Sequence, residues 1–282
     1  MSFSKNLKEE MSKTENLVNK EAVKFELIGY LMSSNVSKGE KETKFSTENE
    51  YNINRFARLL SNMKIENYKI SVQGKTFSIT VKNSDLKKIN TDVEIETIDE
   101  IKWIVRGAYL GGGSINNPEN KYHLEVGIAK KEDAEKIVNV LQDIEMKVSL
   151  IEKKNNYSIY IKDGEEISKF LALLGAHKAV LKFEEIRVQR EMNNKINRIV
   201  NCETANLNKT INASIEQIEA IKKLKQTHQF EKLDSNLKEI AELRIENPNA
   251  SLIELGKMLE EPVGKSGVNY RLKKIMEIAN EK

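Results

Sequence analysis

The chain has a single cysteine, Cys202, so no disulfide can form within it. Its three histidines, His123, His177 and His228, are scattered and build no zinc-ligand cluster with that one thiol. No apolar run approaches the roughly 20 residues that a membrane helix needs. The opening residues carry acids and lack an apolar segment, so no signal peptide is expected. Only three prolines interrupt 282 residues, which leaves room for long helices. What is abundant is charge. Asp, Glu, Lys and Arg make up 32% of the chain, yet the net charge is only +3. That balance excludes a uniformly basic nucleic-acid coat and leaves local basic faces to be found. A hydrophobic share of 39% supports folded cores, and the length suits two domains. The expectation is a cytoplasmic protein with no metal, cofactor or membrane segment.

Residues 1–176 read as one unit written twice, an α+β domain. Residues 21–34 place Val23, Leu27, Tyr30 and Leu31 on one helical face. A strand at 41–47, a helix at 50–63 carrying Ile53, Phe56, Ala57 and Leu60, strands at 68–72 and 76–81, and a short helix at 84–90 follow. The second copy runs through a helix at 101–112, a strand at 121–129, a helix at 131–144, a hairpin of 147–153 and 157–162 turning at Lys154–Asn156, and a helix at 165–175. Each half follows the order helix, two strands, helix, two strands, helix, with a four-stranded sheet expected in each. Gly29 and Ser33 in one copy, and Gly107 and Gly111 in the other, have helical spacing. Small residues there let the two first helices approach closely.

Residues 177–230 are polar and read as a linker of two or three helices. Within 187–200, Arg187, Arg190, Lys195 and Arg198 face one acid, Glu191. This is either a stripe that meets phosphates or a solvated face. Cys202 is expected in a packing or helix-interface role. Residues 231–282 carry the most specific pattern. A helix ends at Asn247-Pro248, and Ser251 opens another with Glu254 as its capping partner. Pro262 and Gly264 break that nine-residue helix, and Lys265 begins the last one, with Val268, Leu272, Ile275 and Ala279 as its apolar stripe. This is a helix-turn-helix pattern, in which Gly256 allows a close crossing. From Pro262 to Ile275 there are four bases and no acid. Asn269 suits adenine and Arg271 suits guanine. Lys273 and Lys274 suit phosphates, Ser251, Lys265, Ser266 and Gly267 flank them, and Tyr270 shares the exposed face. The partner expected is double-stranded DNA.

Four stretches carry a resemblance to a known family: 106–126 (RGAYLGGGSINNPENKYHLEV), 170–188, 191–210 (EMNNKINRIVNCETANLNKT) and 250–275 (ASLIELGKMLEEPVGKSGVNYRLKKI). The chain resembles the WhiA family of bacterial transcription regulators. The resemblance implies a degenerate LAGLIDADG homing-endonuclease domain followed by a helix-turn-helix. In active homing endonucleases each motif helix ends in an acid that holds a divalent metal. The resemblance puts Ser34 and Gly112 at those positions, and neither ligates Mg²⁺ as a carboxylate does. It therefore implies a non-enzymatic, nucleoid-associated regulator of cell division and chromosome segregation, and of sporulation in spore-forming lineages. RNA polymerase or a sigma factor is an implied partner. Rival readings are a divalent-metal DNA endonuclease and a protein-binding scaffold.

Overall fold

The computed structural model describes residues 2–13, 17–89, 93–154 and 156–281. The chain divides into two compact units, residues 1–191 and 192–282. The first holds α1 (Phe3–Lys13) and then the two copies. The first copy is α2 (Lys20–Met32), β1 (Val36–Lys38), β2 (Glu42–Thr47), α3 (Glu50–Asn62), β3 (Tyr68–Gln73), β4 (Thr76–Lys82) and α4 (Asn83–Leu86). The second is α5 (Ile98–Gly112), β5 (Gly113–Ile115), β6 (Leu124–Ile128), α6 (Lys131–Asp143), β7 (Ser149–Lys153), β8 (Asn156–Ile161) and α7 (Gly164–Leu173). The α+β duplication expected from the sequence is the observed one. Asn90 of the short helix expected at 84–90 and Asn155 of the expected hairpin turn lie outside the described residues.

Each copy builds an antiparallel four-stranded sheet, in the orders β1-β2-β4-β3 and β5-β6-β8-β7. The registers correspond: Phe45 pairs with Ile79 in one sheet and Val126 with Ile159 in the other. All four of these side chains are buried, so each sheet gives one face to the core. Local chemistry sets the helix starts. Asn19 and Asn49 accept backbone N–H bonds at the heads of α2 and α3, Thr97 and Glu100 form a capping box on α5, and Asp163 caps α7. On α6 the expected Ala134, Ile137, Val138 and Leu141 are all buried.

The crossing of α2 and α5 centres the first unit. A Cβ on Gly29 would overlap the Ile104 carbonyl oxygen and sit 2.8 Å from the Ala108 nitrogen. One on Gly107 would overlap the Glu26 carbonyl oxygen and sit 2.9 Å from the Tyr30 nitrogen. The two helices thus meet backbone to backbone, and α2 is buried almost all round rather than on one stripe. Charges are trapped beside this crossing. Arg55 on α3 grips Glu26 of α2 in bidentate fashion, Nε to Oε1 at 2.9 Å and Nη2 to Oε2 at 2.6 Å. Arg106 of α5 lies 3.8 Å from the same carboxylate and donates to the carbonyls of Leu174 and Met11, each at 2.6 Å. The Tyr30 hydroxyl donates to Asn52, whose amide donates in turn to the Leu110 carbonyl. Buried ions of this kind hold only while every partner is present.

Residues 177–226 form a single helix, α8 (His177–Gln226), not the two or three expected. Without proline or glycine nothing interrupts its backbone ladder. Cys202 is exposed on it, contrary to the packing role expected, and its sulfur lies 3.8 Å from the Asn206 amide nitrogen. The second unit completes the end of α8 with α9 (Ser235–Glu246), α10 (Leu252–Met258) and α11 (Lys265–Asn280). Its core joins Ile221 and Leu224 of α8 to Ile240, Leu255, Val268, Leu272 and Ile275.

Candidate nucleic-acid interface

Ser251 and Glu254 form the capping box foreseen at the start of α10. The Ser251 hydroxyl accepts the Glu254 N–H at 3.3 Å, and Glu254 accepts the Ser251 N–H at 2.7 Å. The backbone bond of Ser251 holds the Glu254 carboxyl below the usual range. Both polar groups of Ser251 therefore serve the helix end. The α10 helix spans seven residues rather than the nine expected. Gly256 is needed for the turn itself. A Cβ there would overlap the Val263 carbonyl oxygen and crowd the Val268 side chain at 3.1 Å, and the Val263 N–H donates to the Gly256 carbonyl at 3.1 Å. The loop before α10 is pinned by a residue that sequence reasoning missed. The guanidinium of Arg244, buried on α9, donates to the carbonyl of Ala250 at 2.8 Å.

These supports orient α11 with Val268, Leu272, Ile275 and Ala279 inward. Lys265, Ser266, Asn269, Tyr270 and Lys273 are exposed on the other side, and Gly267, Arg271 and Lys274 are part-covered. Lys274 lies 3.9 Å from Asp234, a loose pair at the surface. The candidates on α11 thus all lie off its buried stripe, five exposed and three part-covered. A rim of Ile253 and Met258, both exposed on α10, was not foreseen. Nothing in their helical spacing separates them from core residues.

The four bases proposed for phosphates do not act together. Arg190 donates to the Pro118 carbonyl at 2.6 Å and stacks its guanidinium 4.3 Å from the Tyr122 ring centre. Arg187 pairs with Glu184 at 3.2 Å. Both have partners inside the first unit. Lys195 and Arg198 lie in the second unit and are exposed.

At the ends of α2 and α5, Ser34 and Gly112 come close together. The Ser34 N–H donates to the Gly127 carbonyl at 2.9 Å, and a Cβ on Gly112 would lie 3.0 Å from the Ser34 hydroxyl. The buried acid of α2, Glu26, has both oxygens held by Arg55. Among the described residues no three His, Cys, Asp or Glu side chains converge. No helix among them is long and apolar enough to cross a membrane.

Comparison with known proteins bears on both units. Residues 101–193 match the family model of the WhiA LAGLIDADG-like domain, and residues 196–279 match that of the WhiA C-terminal HTH domain. A relative from Clostridium perfringens, called a probable cell division protein WhiA, is 50% identical over 187 residues. That stretch is 66% of this chain and 59% of the relative. One of the same name from Clostridium acetobutylicum is 50% identical over 180 residues, 64% of this chain and 57% of its own length. The match thus spans less than two thirds of these relatives. The crystal structure of full-length WhiA from Thermotoga maritima is similar with a TM-score of 0.65 at 28% identity, covering 99% of this chain and 98% of that one. A crystal structure of the N-terminal LAGLIDADG domain of WhiA shares the fold at a TM-score of 0.56 and 24% identity, over 62% of this chain and 90% of its own. With the two domain models of one family falling in order along its length, and a full-length member following the same fold throughout, the chain belongs to the WhiA family.

Proposed function

We propose that this chain is a transcription regulator that binds double-stranded DNA by laying α11 in the major groove. The observation that carries this reading is the one-sidedness of α11. Its apolar stripe is wholly buried, while Lys265, Asn269 and Lys273 are exposed and Arg271 and Lys274 part-covered. In helix-turn-helix proteins the first turns of the second helix meet base edges. Asn269 and Arg271 are the base readers of this scheme, with Lys265, Lys273 and Lys274 on phosphates. Exposed Lys195 and Arg198 add backbone contacts. The names of the relatives support a role in cell division, and we extend it to chromosome segregation and, in spore-forming lineages, to sporulation. The site of action is the nucleoid. RNA polymerase or a sigma factor is the protein partner of this scheme, with Ile253 and Met258 as an apolar contact.

The LAGLIDADG-like unit acts here without catalysis. Ser34 and Gly112 offer no carboxylate, and Glu26 is consumed by Arg55, so two-metal hydrolysis has no anchor. The test is fluorescence anisotropy on bound genomic sites and on random duplex over a range of salt. Lys273→Ala and Lys274→Ala are expected to weaken both and to reduce the salt slope by about one each. Asn269→Ala and Arg271→Ala are expected to lose roughly 1–3 kcal/mol of discrimination. Equal losses by all four on random DNA would refute the base readers. Sustained plasmid cleavage with Mg²⁺ would refute the non-enzymatic reading.

A further inference from the structure

A cavity of about 560 Å³ opens beside the ends of α2 and α5, walled on one side by α1. Its lining is rich in donors. Lys5 and Lys8 come from α1, Asn49 from the head of α3, and Ser4, Thr47 and Ser114 add hydroxyls; the acid on its wall is the exposed Glu48. Two features distinguish this cavity from ordinary polar surface.

The first is Asn49, which is only 8% exposed. Its Oδ1 accepts the Asn52 N–H at 3.2 Å and so caps α3. That bond fixes the orientation of the amide and makes Nδ2 the remaining donor. Nδ2 is buried with no hydrogen-bond partner among the described residues. Buried donors are seldom left unpaired, and each one so left is costly.

The second is Lys8, part-buried on the same wall. Burial pulls its ammonium down to about 8. Its near neighbour is the face of Tyr109, with Nζ 5.8 Å from the ring centre. The adjacent acids of α1 are engaged elsewhere. Glu9 pairs with Lys13 at 2.6 Å, and Glu10 accepts the N–H groups of Lys178 and Ala179. A part-buried ammonium whose neighbouring acids on its own helix are engaged elsewhere is a group that an anion would stabilise.

We propose that this cavity is a binding site for a phosphate-type anion, held by Lys5, Lys8 and the Asn49 amide. Lys5, Lys8 and the Asn49 amide line it together, and the two ammonium groups outweigh Glu48, so a tetrahedral oxyanion fits its chemistry. The anion is either a backbone phosphate of DNA or a free phosphate or nucleotide. The site lies wholly in the first unit and does not depend on the role given to α11.

Calorimetry and thermal melts of the full chain with inorganic phosphate and pyrophosphate test this. Both anions are expected to bind at millimolar concentration or below and to raise the melting temperature. Lys8→Gln is expected to weaken binding about tenfold or more. Asn49→Asp keeps the cap acceptor of α3 while replacing the donor with a negative charge, and is expected to abolish binding. Lys5→Gln, at an exposed position, covers the case in which Lys8→Gln fails to fold. A fluorescent duplex separates the sources. If Lys8→Gln weakens duplex binding in an Arg271→Ala background, the anion is a DNA phosphate. If phosphate binding falls while duplex binding holds, it is a free anion. Absence of binding by either anion, or binding at full strength in the Lys8 and Asn49 variants, overturns the proposal.

Discussion

Two helix crossings in this molecule are built on glycine, and they spend their polar residues in opposite ways. Where α2 meets α5, Gly29 and Gly107 bring backbones together inside a fully covered core. The polar side chains around them, Glu26, Arg55, Arg106 and Asn52, are engaged mainly by one another, by Tyr30 and by carbonyls. Where α10 turns into α11, the buried Gly256 admits the Val263 carbonyl. The apolar stripe beneath is closed, and the polar residues of α11 lie outside it. Close packing in the first unit therefore encloses its polar groups, whereas in the second it leaves the basic residues of α11 outside the core. A charged residue in this sequence takes its meaning from which kind of crossing it borders.

Substitutions can break or sharpen that contrast. The largest effect is expected from Arg55→Ala, which strands the Glu26 carboxylate in the core. A loss of about 3–5 kcal/mol in urea denaturation is expected, and a loss below about 1 kcal/mol would show that the buried pair is not structural. Gly107→Ala should follow at about 3 kcal/mol, because the obstacle is a helix backbone that cannot step aside. Gly256→Ala should cost less, about 1–3 kcal/mol, since a loop carbonyl can shift. It should also weaken duplex binding, which Gly107→Ala should not do where the protein remains folded. If the two glycines exchange these signatures, the contrast fails.

Lys8→Met tests the cost of an unpartnered ammonium. The folded-state pKa lies below the ordinary lysine value, so the unfolded chain binds more protons between about 8 and 10.5. Wild-type stability should accordingly rise with pH through that window. The variant should gain roughly 1–2 kcal/mol at pH 7, after allowance for solvent screening, and lose the advantage by pH 10.5. A pH-independent difference would point to packing instead. Smallest is Ser251→Ala, which removes one cap and should cost about 1 kcal/mol with base discrimination retained.

Much of this fold was legible because it obeys short periodicities. The alternation in 68–72 and 76–81 and the 3.6-residue stripe of 131–144 define elements by themselves. The first strand of each sheet, β1 and β5, is only three residues long, too short for alternation to show. The α1 helix was not foreseen either, because Leu7 and Met11 are two apolar residues in a polar stretch and gain their burial from the first unit. The buried stripe of α11 was legible because its apolar residues and its charges are segregated around the helix. Arg190 and Lys195 look alike in sequence, yet one lies over Tyr122 and the other is open to solvent. Asn49 and Arg244 were illegible for the same reason. Their work depends on carbonyls, amides and walls supplied by chain segments folded against them.

The small-residue corner formed by Ser34, Gly112 and Gly127 has an evolutionary consequence. A side chain at 112 would place its first carbon 2.6 Å from the Gly127 carbonyl oxygen. An acid cannot be reinstated there by one codon change unless the neighbouring strand also gives way. A side chain at 112 and the path of the strand through Gly127 are therefore coupled, and a change in one demands a change in the other.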